Sequence, residues 1–248
     1  MRRLWSPDFA AGRALLTARA VGGSLGLVLR RPSPRSLRVA RLALQVTPAY
    51  TMLSPARLGA LYDTVQRADR SGIPGDVVEC GTWHGGASAV MAAACRDDGW
   101  LDRRRYWLFD SFEGLPPPGP EDGASAARGF YPGWCKGDPD RARQAMAAQG
   151  VPPEQVRIVP GWLERTLPDA ELDRIAVLHL DVDWYDAVQF ALAALYPKVS
   201  PGGYVVVDDY GKWSGCRKAV DQFVAGRRQE LRLERPTRCS ARLQKPPY

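Results

Sequence analysis

The chain has 248 residues, enough for one α/β domain with an appendage but short for two full domains. Apolar residues make up 45% and charged residues 25%, an ordinary balance for a globular protein with a core of useful size. The net charge of +7 sits in residues 1–48, where nine arginines face one acid, Asp8, and the other two hundred residues are near neutral. A basic arm without a basic body argues against a nucleic-acid-binding domain and for a solvated or subunit-packing extension. The five cysteines are odd in number and lack CxxC spacing, which excludes a disulfide framework and a zinc site and points to a reducing, cytoplasmic setting. No run approaches the ~18 apolar residues of a membrane span, and no clean apolar stretch follows MRR as a signal peptide requires.

Taken in order, residues 1–35 read as irregular, and Ser36 to Val46 as a short helix. Ser54 to Ser71 is a stronger helix: Ser54 can cap, Pro55 suits the first turn, and Leu58, Leu61, Tyr62 and Val65 form one apolar stripe. Strand and helix then alternate. Asp76 to Cys80, Tyr106 to Asp110, Val156 to Val159, Ile175 to Asp181 and Tyr204 to Asp209 read as strands. Ala87 to Cys95, Pro139 to Gln149, Asp186 to Tyr196 and Gly215 to Ala225 read as helices. Residues 111–137, rich in proline, glycine and aromatics, read as a long loop or lid. Apolar strands separated by helices predict an α/β fold with a parallel sheet covered on both faces.

Ligands of such sheets collect at the carboxyl ends of the strands. Those ends carry Glu79, Asp110, Asp181 and the pair Asp208–Asp209. The loop GTWHGG (Gly81 to Gly86) follows the first strand, with glycines that let backbone approach a ligand closely. It is neither GxGxxG nor a P-loop. Asp110, at the end of the second strand, can accept hydrogen bonds from both ribose hydroxyls of an adenosine cofactor, and NAD and S-adenosylmethionine both fit that role. The acidic trio separates them. Three clustered carboxylates repel one another unless a hard divalent ion such as Mg2+, Mn2+ or Ca2+ joins them. Hydride transfer needs no ion there, whereas methyl transfer to a hydroxyl gains from one.

The segments VVECGTWHGGAS, LFDSFEGLP, HLDVDWYDA, LYPKVSPGGYVVVDDY and GCRKAVDQF resemble the macrocin-type antibiotic sugar O-methyltransferases, and YTMLSPARLGALYD resembles the helix that leads into their domain. The likeness covers roughly residues 49–225. It implies a Rossmann-like class I methyltransferase with a mostly parallel seven-stranded sheet over residues 49–248, preceded by a basic extension over 1–48. It implies S-adenosylmethionine as methyl donor, Mg2+ as metal, a glycosylated natural product as acceptor and a homo-oligomer. By residue, it implies that Glu79, Gly81, Thr82, Trp83, Gly85 and Ser88 flank the cofactor. Asp110 and Ser111 would meet its ribose and adenine, with Trp162 a candidate to cover the adenine. Asp181, Asp208 and Asp209 would bind the metal.

Catechol-type relatives carry a lysine base three residues after the first metal aspartate, and here that position is Trp184. Asp181 is therefore the first candidate base and Asp183 the second. His179 reads as a satisfied core histidine and His84 as a ligand-loop residue. Phe130, Tyr131 and Trp134 read as lid or loop packing, and Tyr185 and Tyr210 as possible acceptor-pocket walls. Three other functions compete: a phenol or catechol O-methyltransferase, an NAD-dependent oxidoreductase, and a noncatalytic binding protein that works through its arginine-rich arm.

Overall fold

A computed structural model describes residues 16–21, 24–29, 33–227 and 231–247, so much of the arginine-rich arm lies outside the described residues. Residues expected to be irregular form a two-stranded antiparallel ribbon, β1 (Leu16–Val21) and β2 (Ser24–Leu29). Two helices follow, α1 (Pro34–Val46) and α2 (Pro55–Arg70). The second starts as the sequence predicts, with Ser54 accepting the Arg57 backbone N–H and proline in the first turn; the first begins at Pro34 behind a Ser33 cap, two residues before the expected Ser36. A buried pair fastens α2 to the body: Arg104 donates to Asp69 Oδ1 from Nε at 2.8 Å and from Nη2 at 2.5 Å.

The alternating region then gives β3 (Asp76–Cys80), α3 (Gly86–Asp97), β4 (Tyr106–Asp110), α4 (Gly123–Gly129), α5 (Pro139–Ala147), β5 (Val156–Pro160), α6 (Leu163–Thr166), β6 (Ile175–Leu180), α7 (Tyr185–Leu195), β7 (Val199–Val207) and α8 (Ser214–Ala225). Two short strands, β8 (Arg232–Glu234) and β9 (Ala241–Gln244), close the chain. The long segment after β4 departs from the expected loop, because its GASAARG stretch is alanine-rich enough to form α4. The last strand also differs: β7 starts earlier than read, and Asp208 and Asp209 leave it to open a tight helical turn.

The main sheet has seven strands in the order β5-β4-β3-β6-β7-β9-β8. The first five are parallel, and β9 runs antiparallel to both its neighbours. Alternate residues of each strand face opposite sides. Tyr106 and Leu108 of β4 pack under α1, α2, α3 and α5, whereas Trp107 and Phe109 pack under α6, α7 and α8. Both faces are thus covered, and every residue of β3 and β6 is buried. The chain winds outward from β3 through β4 to β5, then returns to place β6 on the other side of β3. That reversal opens a crevice above the carboxyl ends of β3 and β6. Among the described residues no helix is long and apolar enough to cross a membrane.

Candidate active site

The loop after β3 is pinned from three sides. Gly81 has φ +87°, and a Cβ there would lie 1.9 Å from the Asp181 carbonyl oxygen. A Cβ on Gly85 would lie 2.8 Å from Ala142 Cα, and one on Gly86 would lie 2.6 Å from the Tyr50 carbonyl. Each of these glycines makes room for neighbouring backbone, and Gly81 also lines the cleft. The loop is thereby held between β6, α5 and a strap, residues 47–54, whose Tyr50 carbonyl accepts the Gly86 N–H at 2.8 Å. A narrow cleft remains, with Tyr50–Leu53 on one wall and Glu79, Gly81, Thr82, Trp83 and Asp181 on the other.

Glu79 is 1% exposed and fully engaged. Its Oε1 lies 2.8 Å from His179 Nδ1, and its Oε2 accepts from Ser88 at N (3.1 Å) and Oγ (2.5 Å). Ser88 and His179 thus orient Glu79, and Ser88 itself does not line the cleft. His179 is the buried, hydrogen-bonded histidine expected. His84 stacks on Trp83 at 3.7 Å and bonds the strap at the Ala49 carbonyl.

Asp110 ends β4 beside this loop. Its Oδ2 accepts the Trp83 N–H at 2.7 Å and its Oδ1 accepts the Phe112 N–H at 2.6 Å. Burial raises its pKa, and those two bonds pull it back down. Each carboxylate oxygen keeps a second lone pair for a ligand. Ser111 follows Asp110, and the Gly161 N–H donates to the Asp110 carbonyl, which brings Trp162 to the same strand end.

On the other side of the crevice the acids converge. Carboxylate oxygens of Asp181, Asp208 and Asp209 lie within 4.8 Å of one another. Asp208 is 1% and Asp209 3% exposed, while Asp181 is half-buried at the cleft. Burial first, then the charges of Asp208 and Asp209, hold the Asp181 carboxyl well above its ordinary range. Burial and Asp209 push Asp208 up to about 6, against the pull of Arg57. Asp183 is raised likewise by burial and by Asp209, and its Oδ1 accepts Trp213 Nε1 at 2.6 Å.

Two cations answer these four acids. Arg57 Nη1 pairs with Asp208 Oδ2 and stands 3.7 Å from Asp209 Oδ1. Lys212 Nζ lies 3.7 Å from Asp209 and 3.8 Å from Asp183. With all four acids ionised, as a bound cation would favour, a formal charge of −2 is left over, which one divalent ion would balance. Asp209 Oδ1 is moreover buried with no hydrogen-bond partner, a costly state for a carboxylate. An all-oxygen donor set with an orphaned oxygen and this charge deficit fits Mg2+, Mn2+ or Ca2+.

The residues around the acids are aromatic. Trp134, Trp184 and Trp213 pack edge-on with centroids 5.1 to 6.2 Å apart, and Tyr131 stacks on Trp134. Trp213 and Lys212 also line an open groove of ≈ 470 Å³ beside α8, with Arg217, Asp221 and Gln222 on its wall. The Tyr185 and Tyr210 hydroxyls bond Gln222 and Asp221. Four non-glycine residues with positive φ, namely Trp83, Phe112, Cys135 and Asp183, all fall in the segments that ring this site. Such conformations persist only where the surroundings over-determine them, and they concentrate at functional sites.

The model of the macrocin-O-methyltransferase family matches residues 36–236 of this chain. The chain belongs to that family. Demethyldecarbamoylnovobiocin O-methyltransferase of Streptomyces niveus is 39% identical over 181 residues, covering 71% of this chain and 68% of that protein. The 8-demethyl-8-(2,3-dimethoxy-alpha-L-rhamnosyl)-tetracenomycin-C 4'-O-methyltransferase of Streptomyces olivaceus is 39% identical over 178 residues, covering 71% and 67%. The solved structure of the O-methyltransferase NovP superposes with a TM-score of 0.75 at 30% identity, covering 86% of this chain and 99% of that one. This macrocin-type enzyme is therefore an O-methyltransferase of the class I fold.

Within this macrocin-type site, sequence reasoning overlooked Arg57, Lys212 and Trp213. Lys212 carried a usable signal, since it lies three residues after Asp209, within one helical turn. It brings an ammonium group to the acids from the other side of the site, whereas Trp184 donates its Nε1 to the Pro116 carbonyl and so anchors the segment after β4.

Proposed function

We propose that this chain transfers a methyl group from S-adenosylmethionine to a hydroxyl on a sugar of a glycosylated natural product, with a divalent metal held by Asp181, Asp208 and Asp209. The observation that carries the reading is the convergence of those carboxylates, one oxygen orphaned, beside the β3 loop at the reversal of strand order. Asp110 takes the ribose hydroxyls on the free lone pairs of its oxygens. Ser111 and Trp162 stand on the adenine side. Gly81, Thr82 and Trp83, with Glu79 behind them and Gly85 fixing the loop, face the methionine part. Bound at the trio, Mg2+ supplies a Lewis acid that lowers the pKa of an alcohol.

Asp181 takes the proton from the acceptor hydroxyl. It is the half-buried member of the trio and lines the cofactor cleft. Asp183 is the weaker candidate, because Trp213 and Lys212 already engage its Oδ1. The tryptophan cluster excludes water and offers apolar faces suited to the C–H face of a pyranose, and the polar wall of the α8 groove suits hydroxyls. The tetracenomycin relative, which by its name acts on a rhamnosyl compound, supports a sugar acceptor.

The test is a matched acceptor set: a deoxysugar glycoside, its aglycone and a catechol, each incubated with S-adenosylmethionine and Mg2+. Mass spectrometry should find one added methyl group on the glycoside's sugar and none on the other two. Methylation of the catechol with the glycoside untouched would overturn the sugar assignment.

A further inference from the structure

The acidic centre receives a side chain from the helix that precedes the main sheet in the chain. Arg57, in the first turn of α2, reaches it with 17% of its side chain exposed, against 2% for its partner Asp208. Its Nη1 pairs with Asp208 Oδ2 and lies 3.7 Å from Asp209 Oδ1, and its Nη2 donates to the Met52 carbonyl at 3.4 Å. Lys212, across the site, is 46% exposed and can keep its charge in water. Arg57 is confined between the acids and the strap. A guanidinium in contact with Asp208 stands within a few ångströms of any ion those oxygens hold, and two cations that close in a shielded site repel strongly.

We infer that Arg57 is a positioning residue that acts as a resident counter-cation: it holds Asp208 and Asp209 in place and competes with the divalent ion for them. Arg57 is also tied to Met52, and Tyr50–Leu53 form one wall of the cofactor cleft. Metal binding that displaces the guanidinium therefore shifts that wall, which couples the metal to the cofactor. Linkage makes the coupling reciprocal. The inference rests on the metal reading given above and adds to it a competitor built into the chain.

The test uses the full-length protein, dialysed against EDTA, as wild type, Arg57→Gln and Arg57→Lys. Each is titrated with MgCl2 and MnCl2 by calorimetry, and Mn2+ binding is followed independently by electron paramagnetic resonance. Arg57→Gln should bind either ion at least about tenfold more tightly than wild type, because an opposing charge is gone. Arg57→Lys keeps the charge on a shorter reach and should fall between them, which preserves the test if the glutamine variant does not fold. Saturating Mg2+ should change S-adenosylhomocysteine affinity in wild type but not in Arg57→Gln. Equal or weaker metal binding by both variants would overturn the inference and leave the metal site standing. No metal binding by any of the three proteins would remove the metal site itself.

Discussion

Asp208→Asn is expected to lower turnover by about a thousandfold while S-adenosylhomocysteine affinity, compared without metal, stays within about threefold of wild type. The size follows from what a divalent ion contributes to a developing alkoxide: several kcal/mol, at about 1.4 kcal/mol per tenfold in rate. Asparagine keeps the shape of aspartate but removes the charge, so the trio falls to two carboxylates and loses its hold on a hard cation. The fold should survive. Burial and Asp209 already push the Asp208 pKa up to about 6, so its charge costs stability at neutral pH, and Asn removes that cost. The sign is that of a raised carboxyl: its stabilising effect is present below the unfolded pKa and is lost as pH rises through the folded value. The loss of the Arg57 partner acts in the opposite direction. Thermal melting should therefore move by only a few degrees, and steady-state kinetics with calorimetry would read the rest. A folded Asp208→Asn enzyme with wild-type turnover would contradict the metal assignment.

Asp110→Ala should give the opposite pattern. Two ribose hydroxyls bonded to one carboxylate, at about 1.5–3 kcal/mol each, imply a loss of at least about a hundredfold in S-adenosylhomocysteine affinity. Metal affinity should change by less than about twofold, because the trio lies across the crevice, just after β6 and in the turn after β7. Part of the loss comes through the loop: Asp110 also receives the Trp83 and Phe112 N–H groups, and both residues have positive φ. Removing the carboxylate frees two strained turns at once. Calorimetry on the two variants side by side separates the halves of the site. Unchanged cofactor affinity in Asp110→Ala would mean the ribose sits elsewhere.

Much of this frame can be read from the chain because its signals are local. Ser54 with Pro55 marks the start of α2, and the apolar runs that end at Cys80, Asp110 and Leu180 mark β3, β4 and β6. A fully buried strand is mostly apolar, so an acid at its end stands out. The acids at those ends could be collected into one site because parallel strands all point the same way. The cations could not. The chain has 34 lysines and arginines, and nothing around Arg57 in SPARLGAL distinguishes it from arginines that face solvent. Only the packing of α2 against β6 and β7 carries it to Asp208. The second reason for the glycines is equally hidden: Gly81 is required by the Asp181 carbonyl and Gly86 by Tyr50, contacts that only the fold brings about. α4 and the β8–β9 pair escaped because GASAARG, RLE and ARLQ lack the continuous apolar run that marks the core strands.

The central claim is that a divalent ion held by Asp181, Asp208 and Asp209 enables methyl transfer from S-adenosylmethionine to a sugar hydroxyl. The most direct measurement follows S-adenosylhomocysteine formation with a glycoside acceptor in one preparation: as isolated, after dialysis against EDTA, and after Mg2+ is returned. Turnover should disappear in the second state and recover in the third. Undiminished turnover in EDTA would contradict the account.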